Sequence, residues 1–219
     1  MNIIHHKSSS ALGRTLGVLG VSACLLSASV AQAGTKCYDF SKPPVGTEYK
    51  IGQTLNLRHS VINVRPLINR DGPASNDSAV AVIHAGNLPQ GGAPSLWMKS
   101  IVAQVVPNKI VKKMTFKFAQ NLGSDPSKRI VNLGANGQRM TFNGSLARMD
   151  GKVLGKPGNG GKVRLSVSAT PDGGDSHWVR GTVTLKPIKG IPLPNKGIKQ
   201  VSFGVSTQLH IDDVCMEEK

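Results

Sequence analysis

The sequence predicts an all-β protein: a two-sheet antiparallel β-sandwich of jelly-roll type whose N- and C-terminal strands are adjacent. Three observations predict it. Short runs of alternating apolar and polar residues are separated by Gly-, Pro- and Asn-rich turns. No stretch sustains a 3.6-residue period between capping signals, so helix content is expected to be low. One cysteine, Cys37, stands near the start of the expected folded chain and another, Cys215, near its end.

The strands read in order as follows. Thr54–Leu57 and Val61–Val64 form an early pair, and Ala79–His84 follows a polar turn, Asn69–Asp77. After the loop Gly86–Ser95, a single strand is expected from Trp97 to Val106. Val111–Phe118 alternates most cleanly: Met114, Phe116 and Phe118 share one face, Lys113, Thr115 and Lys117 the other. Arg129–Leu133 and Arg139–Asn143 flank a Gly-Ala-Asn-Gly turn, and Gly151–Gly161 reads as a long loop. Lys162–Ser168, Trp178–Leu185 after the acidic turn Asp172–Asp175, Val201–Val205 after a Pro/Lys-rich loop, and Leu209–Cys215 complete the set. About ten strands at this spacing fit two packed sheets.

The first 33 residues read as a cleaved signal peptide. A basic, acid-free lead (His5, His6, Lys7, Arg14) precedes the apolar run Leu16–Leu26, and Ala31-Gln32-Ala33 fits a small-x-small cleavage site. The apolar run is too short to span a bilayer, and no later segment approaches a transmembrane length. A competing lipobox-like reading, Val21-Ser-Ala-Cys24, would lipidate Cys24; the alanine site is better placed. Residues 34–219 are then one domain, secreted or periplasmic.

Cleavage after Ala33 removes Cys24 and leaves an even pair, Cys37 and Cys215, which in an exported chain favours a disulfide. Formal charge is +15, and losing Lys7 and Arg14 with the leader takes it to +13. Such a chain is drawn to anionic surfaces, acidic polysaccharide among them. Lys113 and Lys117 on one strand face, with loop lysines around them, are the candidate anion contacts. Trp97 and Trp178, in a chain with only 4% aromatic residues, are the candidates for stacking on a sugar. No aromatic-interleaved basic platform points to nucleic acid.

No catalytic constellation stands out. His59, His84, His177 and His210 form no metal-binding pair, and there is no Gly-x-Ser-x-Gly elbow. A polysaccharide lyase is the enzyme class that best suits fold and charge, with Arg or Lys neutralising a uronate and His and Tyr moving the proton. Only Tyr38 and Tyr49 are available for it. A groove lined by Tyr, His and Arg would favour that class; a flat lysine-lined sheet would favour binding of a polyanion.

Cys37-x-Asp-Phe40, Gly46-Thr-Glu-Tyr49, Val201-Ser-Phe-Gly-Val205 and the closing Leu209-x-Ile-Asp-Asp-Val-Cys215 together resemble secreted bacterial β-sandwich domains. The resemblance is to carbohydrate-binding modules and galactose-binding-like domains. It implies a non-catalytic binder of glycan or another anionic polymer, and a structural calcium held by the closing acids and the first strand. Carried over, the calcium ligands are Asp212 or Asp213 with Asp39, although Ser41 stands where the family often has Glu. Strand alternation places Asp213 on the face of Leu209 and Ile211, where a buried carboxylate needs a cation or several donors. The alternatives to a binding module are the lyase-type enzyme and a structural envelope protein without a small ligand.

Overall fold

The computed structural model describes residues 34–69, 72–73, 79–85, 94–156, 159–172, 175–188 and 196–219. The expected leader with Cys24, most of the turn before Ala79, the loop 86–93, the tip of the acidic turn and the loop 189–195 lie outside the described residues. The described residues fall in one unit, Ala33–Lys219.

Chain order begins with β1 (Thr35–Tyr38), β2 (Glu48–Tyr49), β3 (Thr54–Asn56) and β4 (Ser60–Pro66). A small hairpin of β5 (Ile68–Asn69) and β6 (Gly72–Pro73) follows, then β7 (Val80–His84), β8 (Ser95–Lys99), β9 (Ile101–Pro107) and the long β10 (Val111–Asn121). The second half holds β11 (Ile130–Ala135), β12 (Gln138–Asn143), β13 (Val153–Leu154), β14 (Val163–Asp172), β15 (Asp175–Pro187), β16 (Val201–Val205) and β17 (Gln208–Glu218). Short 3-10 turns at Pro126–Lys128 and Leu146–Met149 are the helical elements among the described residues.

The strands make two antiparallel sheets. The larger runs β13-β14-β15-β10-β17-β8-β7-β2, and the smaller runs β12-β11-β16-β9-β4-β3. Their apolar faces meet in a sandwich core in which Phe116 of β10 packs on Phe203 of β16 with ring centroids 4.4 Å apart. Met114, Phe116 and Phe118 all face inward, as the alternation of β10 requires. Leu146 and Met149, from the second 3-10 turn, are buried in the same core.

β17 organises the larger sheet. One of its edges pairs with β10 along most of its length; its other edge pairs with β8 at the start and with β1 at the end. The first and last strands are therefore adjacent, and Cys37 lies opposite Cys215 with Cα atoms 3.9 Å apart in a disulfide.

Three local expectations need correction. Trp97–Val106 is two strands, because Ser100 turns left-handed (φ 53) and passes the chain from the larger sheet to the smaller. Ser100 Oγ donates to the carbonyl of Ser206, which sits in the turn carrying β16 back into β17. The two crossings between sheets thus brace each other. Gly151–Gly161 is not all loop, since Val153 and Leu154 form β13 at the edge of the larger sheet.

The third correction concerns Asp213. The pairing of β17 with β10 shifts between Thr115 and Lys117, and Asp213 takes φ 48 at that bulge. The inserted residue reverses the parity of the strand: Leu209 and Ile211 are buried before it, Val214 and Met216 after it. Asp213 is consequently half-exposed rather than buried beside Ile211.

Candidate functional site

Two surfaces collect the chemistry of this chain: the outer face of the larger sheet, and a cleft under its edge strand β1.

The outer face follows from alternation. Residues of β7, β8, β17, β10 and β15 that do not enter the core point away from the smaller sheet, and strand register lines them up. Trp97 lies opposite His210, His210 opposite Ala119, and Ala119 opposite Arg180. The neighbouring row holds Lys99, Gln208, Asn121 and Trp178.

His210 is the centre of this cluster. Its ring is 5.6 Å from that of Trp178 and 5.5 Å, edge-on, from that of His84. Its Nδ1 shares a hydrogen bond with Ser95 Oγ at 3.1 Å. Burial, and secondarily the proximity of His84, lowers its pKa from 6.5 to about 4, so the ring is neutral at physiological pH. His84 is fixed in turn by its Nδ1, which donates to the carbonyl of Ala85 at 2.9 Å. The two tryptophans remain half-buried, each with part of its surface open.

Farther along the same face, β14, β15 and β10 present hydroxyls. Ser166, Thr184 and Thr115 form one cross-strand row; Ser168, Thr182 and Lys117 form the next. Arg164 lies opposite Lys186 near the far end, on the side of Lys113.

The two lysines singled out from sequence are on this face but are held by acids. Lys117 Nζ is 2.7 Å from Asp213 Oδ2, and this hydrogen bond raises the lysine pKa. Lys113 Nζ is 2.9 Å from Glu217 Oε1, with Lys112 at 3.9 Å from the same carboxylate. Lys36 and Lys109 pair with Glu218. The acids of β17 thus neutralise much of the lysine row, leaving Arg164 and Lys186 as better anion contacts. Among the described residues, neither of these makes an ion pair, although Lys186 lies near enough to Glu217 to help lower its pKa.

The second surface is a pocket of about 450 Å³ where β1 overhangs the turn between β3 and β4. Lys36 and Tyr38 have inward parity on β1, since their β17 partners Met216 and Val214 are buried. They face Leu57, Arg58, His59 and Ser60, while Asp39, Ser41, Lys42, Cys37, Asp213 and Met216 complete the lining. Burial, then Lys36 and Arg58, lower the pKa of His59. Burial, with Tyr49 and Asp39 nearby, raises that of Tyr38.

The acids expected to hold calcium do not fit that ion. Both Ser41 donors, backbone N–H and Oγ, go to Asp39 Oδ1 at 3.1 and 2.6 Å, depressing the aspartate pKa. Asp213 is paired with Lys117, and Asp212 Oδ1 accepts from the Asp213 backbone N–H at 2.8 Å. Asp212 is buried, which raises its pKa. Among the described residues, no three His, Cys, Asp or Glu side chains converge as a metal site, whereas calcium takes six to eight oxygen ligands.

Sequence reading singled out the tryptophans, gave His84 and His210 no role, and did not foresee Ser95 beside them or the pocket. The available signal for His210 is its outward parity on β17, between the inward Leu209 and Ile211. The pocket has no such signal, because its lining comes from segments far apart in the chain.

No protein-family model matches the chain, and comparison with curated proteins finds no match. Among solved structures, the chain is similar to the K2 cleaved adhesin domain of Lys-gingipain. That likeness has 14% identity and a TM-score of 0.42, over 84% of this chain and 98% of that one. It is also similar to the K1 cleaved adhesin domain of Lys-gingipain from Porphyromonas gingivalis W83, at 14% identity and a TM-score of 0.28, over 85% and 99% of the two chains. Neither likeness bears on ligand or activity.

Proposed function

We propose that this chain is an exported, non-catalytic binding module that holds a glycan or other anionic polymer on the outer face of its larger sheet. One observation carries the reading: Trp97 and Trp178, the only tryptophans of the chain, lie on that one face on either side of His210. A half-open indole offers an apolar face to a sugar ring, and the rows of Ser and Thr beside it offer hydroxyls for hydrogen bonding. Arg164 and Lys186 supply positive charge at the far end of the same face. The disulfide suits an oxidising compartment, and no helix among the described residues is long and apolar enough to cross a membrane.

The test is retention on immobilised alginate and heparin. Trp178→Ala is expected to lower polymer affinity by about tenfold, one stacked aromatic being worth roughly 1.4 kcal/mol. Arg164→Ser with Lys186→Ser is expected to lower the salt concentration needed for elution. Retention untouched by all three changes would sink the proposed face.

A second reading, a polysaccharide lyase, is favoured by one observation: the pocket under β1 gathers Tyr38, His59 and Arg58. Neutral His59 would take the proton beside a uronate carboxylate, protonated Tyr38 would give one to the departing glycosidic oxygen, and Arg58 would neutralise the carboxylate. The discriminating assay is ultraviolet absorbance of the unsaturated uronate product, which a pure binding module never forms.

A further inference from the structure

We infer that the pocket beside the disulfide is a subsite for one acidic sugar unit, a hydroxylated ring bearing a single carboxylate. The inference rests on the glycan reading for its ligand class, but its geometry is separate from the sheet face.

Size and lining both point to such a ligand. A volume of about 450 Å³ falls within the roughly 300–1,000 Å³ range of small-molecule sites. The lining is mixed in charge. Arg58 makes no ion pair among the described residues, Lys42 acts on Asp39 without a close ion pair, and Lys36 is held by Glu218. Against them stand two carboxylates, Asp39 and Asp213. The two acids repel a compact dianion such as phosphate and give it nothing to bind. A uronate separates the two functions: its carboxylate reaches Arg58 in a charge-assisted hydrogen bond, and its ring hydroxyls donate to the aspartates.

Asp39 has acceptor capacity left for this role, while Asp213 Oδ2 is shared with Lys117. Both donors of Ser41 go to Asp39 Oδ1, so Oδ2 is not used by them. An independent observation comes from Ser60. It begins β4 with the inward parity of Ile62 and Val64, lines the pocket, and is fully buried. Its Oγ finds no hydrogen-bond partner among the described residues, although buried hydroxyls normally have one. Rotation of the Ser60 side chain toward the pocket would let a bound ligand supply the missing partner.

Isothermal titration calorimetry of the oxidised protein with D-galacturonate tests this. Parallel titrations use D-galactose, which lacks the carboxylate, acetate, which lacks the ring, and inorganic phosphate. The expected result is galacturonate binding with Kd on the order of 1 mM, and at least tenfold weaker binding of the other three. Arg58→Ala, an exposed position that does not threaten the fold, is expected to weaken galacturonate at least tenfold, and Ser60→Ala about threefold. Comparing monomer with trigalacturonate separates a free sugar from a chain end: equal affinity per molecule marks a subsite for one unit, and tighter trimer binding marks a chain end extending beyond it. No heat with galacturonate, equal binding of phosphate or acetate, or indifference to Arg58→Ala overturns the inference. Trp178→Ala serves as the control. If polymer retention depends on Trp178 while galacturonate gives no heat, the pocket inference falls and the sheet-face function stands. If Trp178→Ala leaves both retention and galacturonate binding intact, the sheet-face function falls instead.

Discussion

The Lys117 ammonium lies 2.7 Å from the Asp213 carboxylate, and Asp213 holds left-handed backbone at φ 48 in the bulge of β17. The bulge aims Asp213 out of the core, and Lys117, across the strand pair, receives it. Aspartate tolerates left-handed backbone better than most residues; alanine costs roughly 1–2 kcal/mol there, and glycine nothing. The ion pair is half-exposed and contributes at most about 1 kcal/mol. Asp213→Ala is therefore expected to destabilise more than Asp213→Gly, with Lys117→Met the mildest, as read from urea midpoints. Equal losses for alanine and glycine would show that backbone conformation plays no part.

The disulfide closes a sequence separation of 178 residues. Loop-entropy reasoning assigns it up to about 5 kcal/mol of stability. Reduction, or Cys37→Ser with Cys215→Ser, is expected to lower the urea midpoint and, because β1 roofs the pocket, to abolish galacturonate binding. If binding persists after reduction, β1 stays in place without its covalent tie.

Acid should weaken the fold through His210. In the unfolded chain its ring takes a proton near pH 6.5; in the folded protein only near pH 4. Between those values the unfolded state holds more protons, so stability is full above about pH 6.5 and declines as pH falls toward 4. The loss is at most about 3 kcal/mol. His59, also lowered, adds in the same direction. Denaturation from pH 7.5 to 4.5 should show a shallower pH slope for His210→Gln than for the parent chain; an unchanged slope would assign the effect to other groups.

Close backbone approach makes Gly204 irreplaceable. A Cβ built there would sit 2.2 Å from the Ile101 carbonyl oxygen and 2.8 Å from Val102 Cα. Gly204→Ala is expected to cost about 1–3 kcal/mol or more, measurable as a fall in Tm. Gly34→Ala meets nothing within 4 Å and should leave Tm unchanged.

Alternation made most strands legible. The inward triplet of β10 was plain because apolar and polar residues trade places at every step, and that period has only one sheet-forming interpretation. Alternation failed wherever the backbone broke its own period. Ser100 divides an apolar run that has no Gly or Pro to announce a break. Asp213 slips the parity of β17 by one residue and thereby leaves the face beside Ile211 that alternation had assigned it.

By itself the sequence determined the secondary structure class and the strand faces, because a period of two is a local property carried by neighbouring residues. It also determined the pairing of Cys37 with Cys215, since expected cleavage leaves no other cysteine to compete. Tertiary structure alone decided which distant residues meet. Trp97, Trp178 and His210 come from three strands and converge through sheet register; Lys36, Arg58 and Ser60 come from opposite sheets and converge through sandwich packing. Register and packing are long-range, set by which apolar faces bury one another, and no local spacing encodes them.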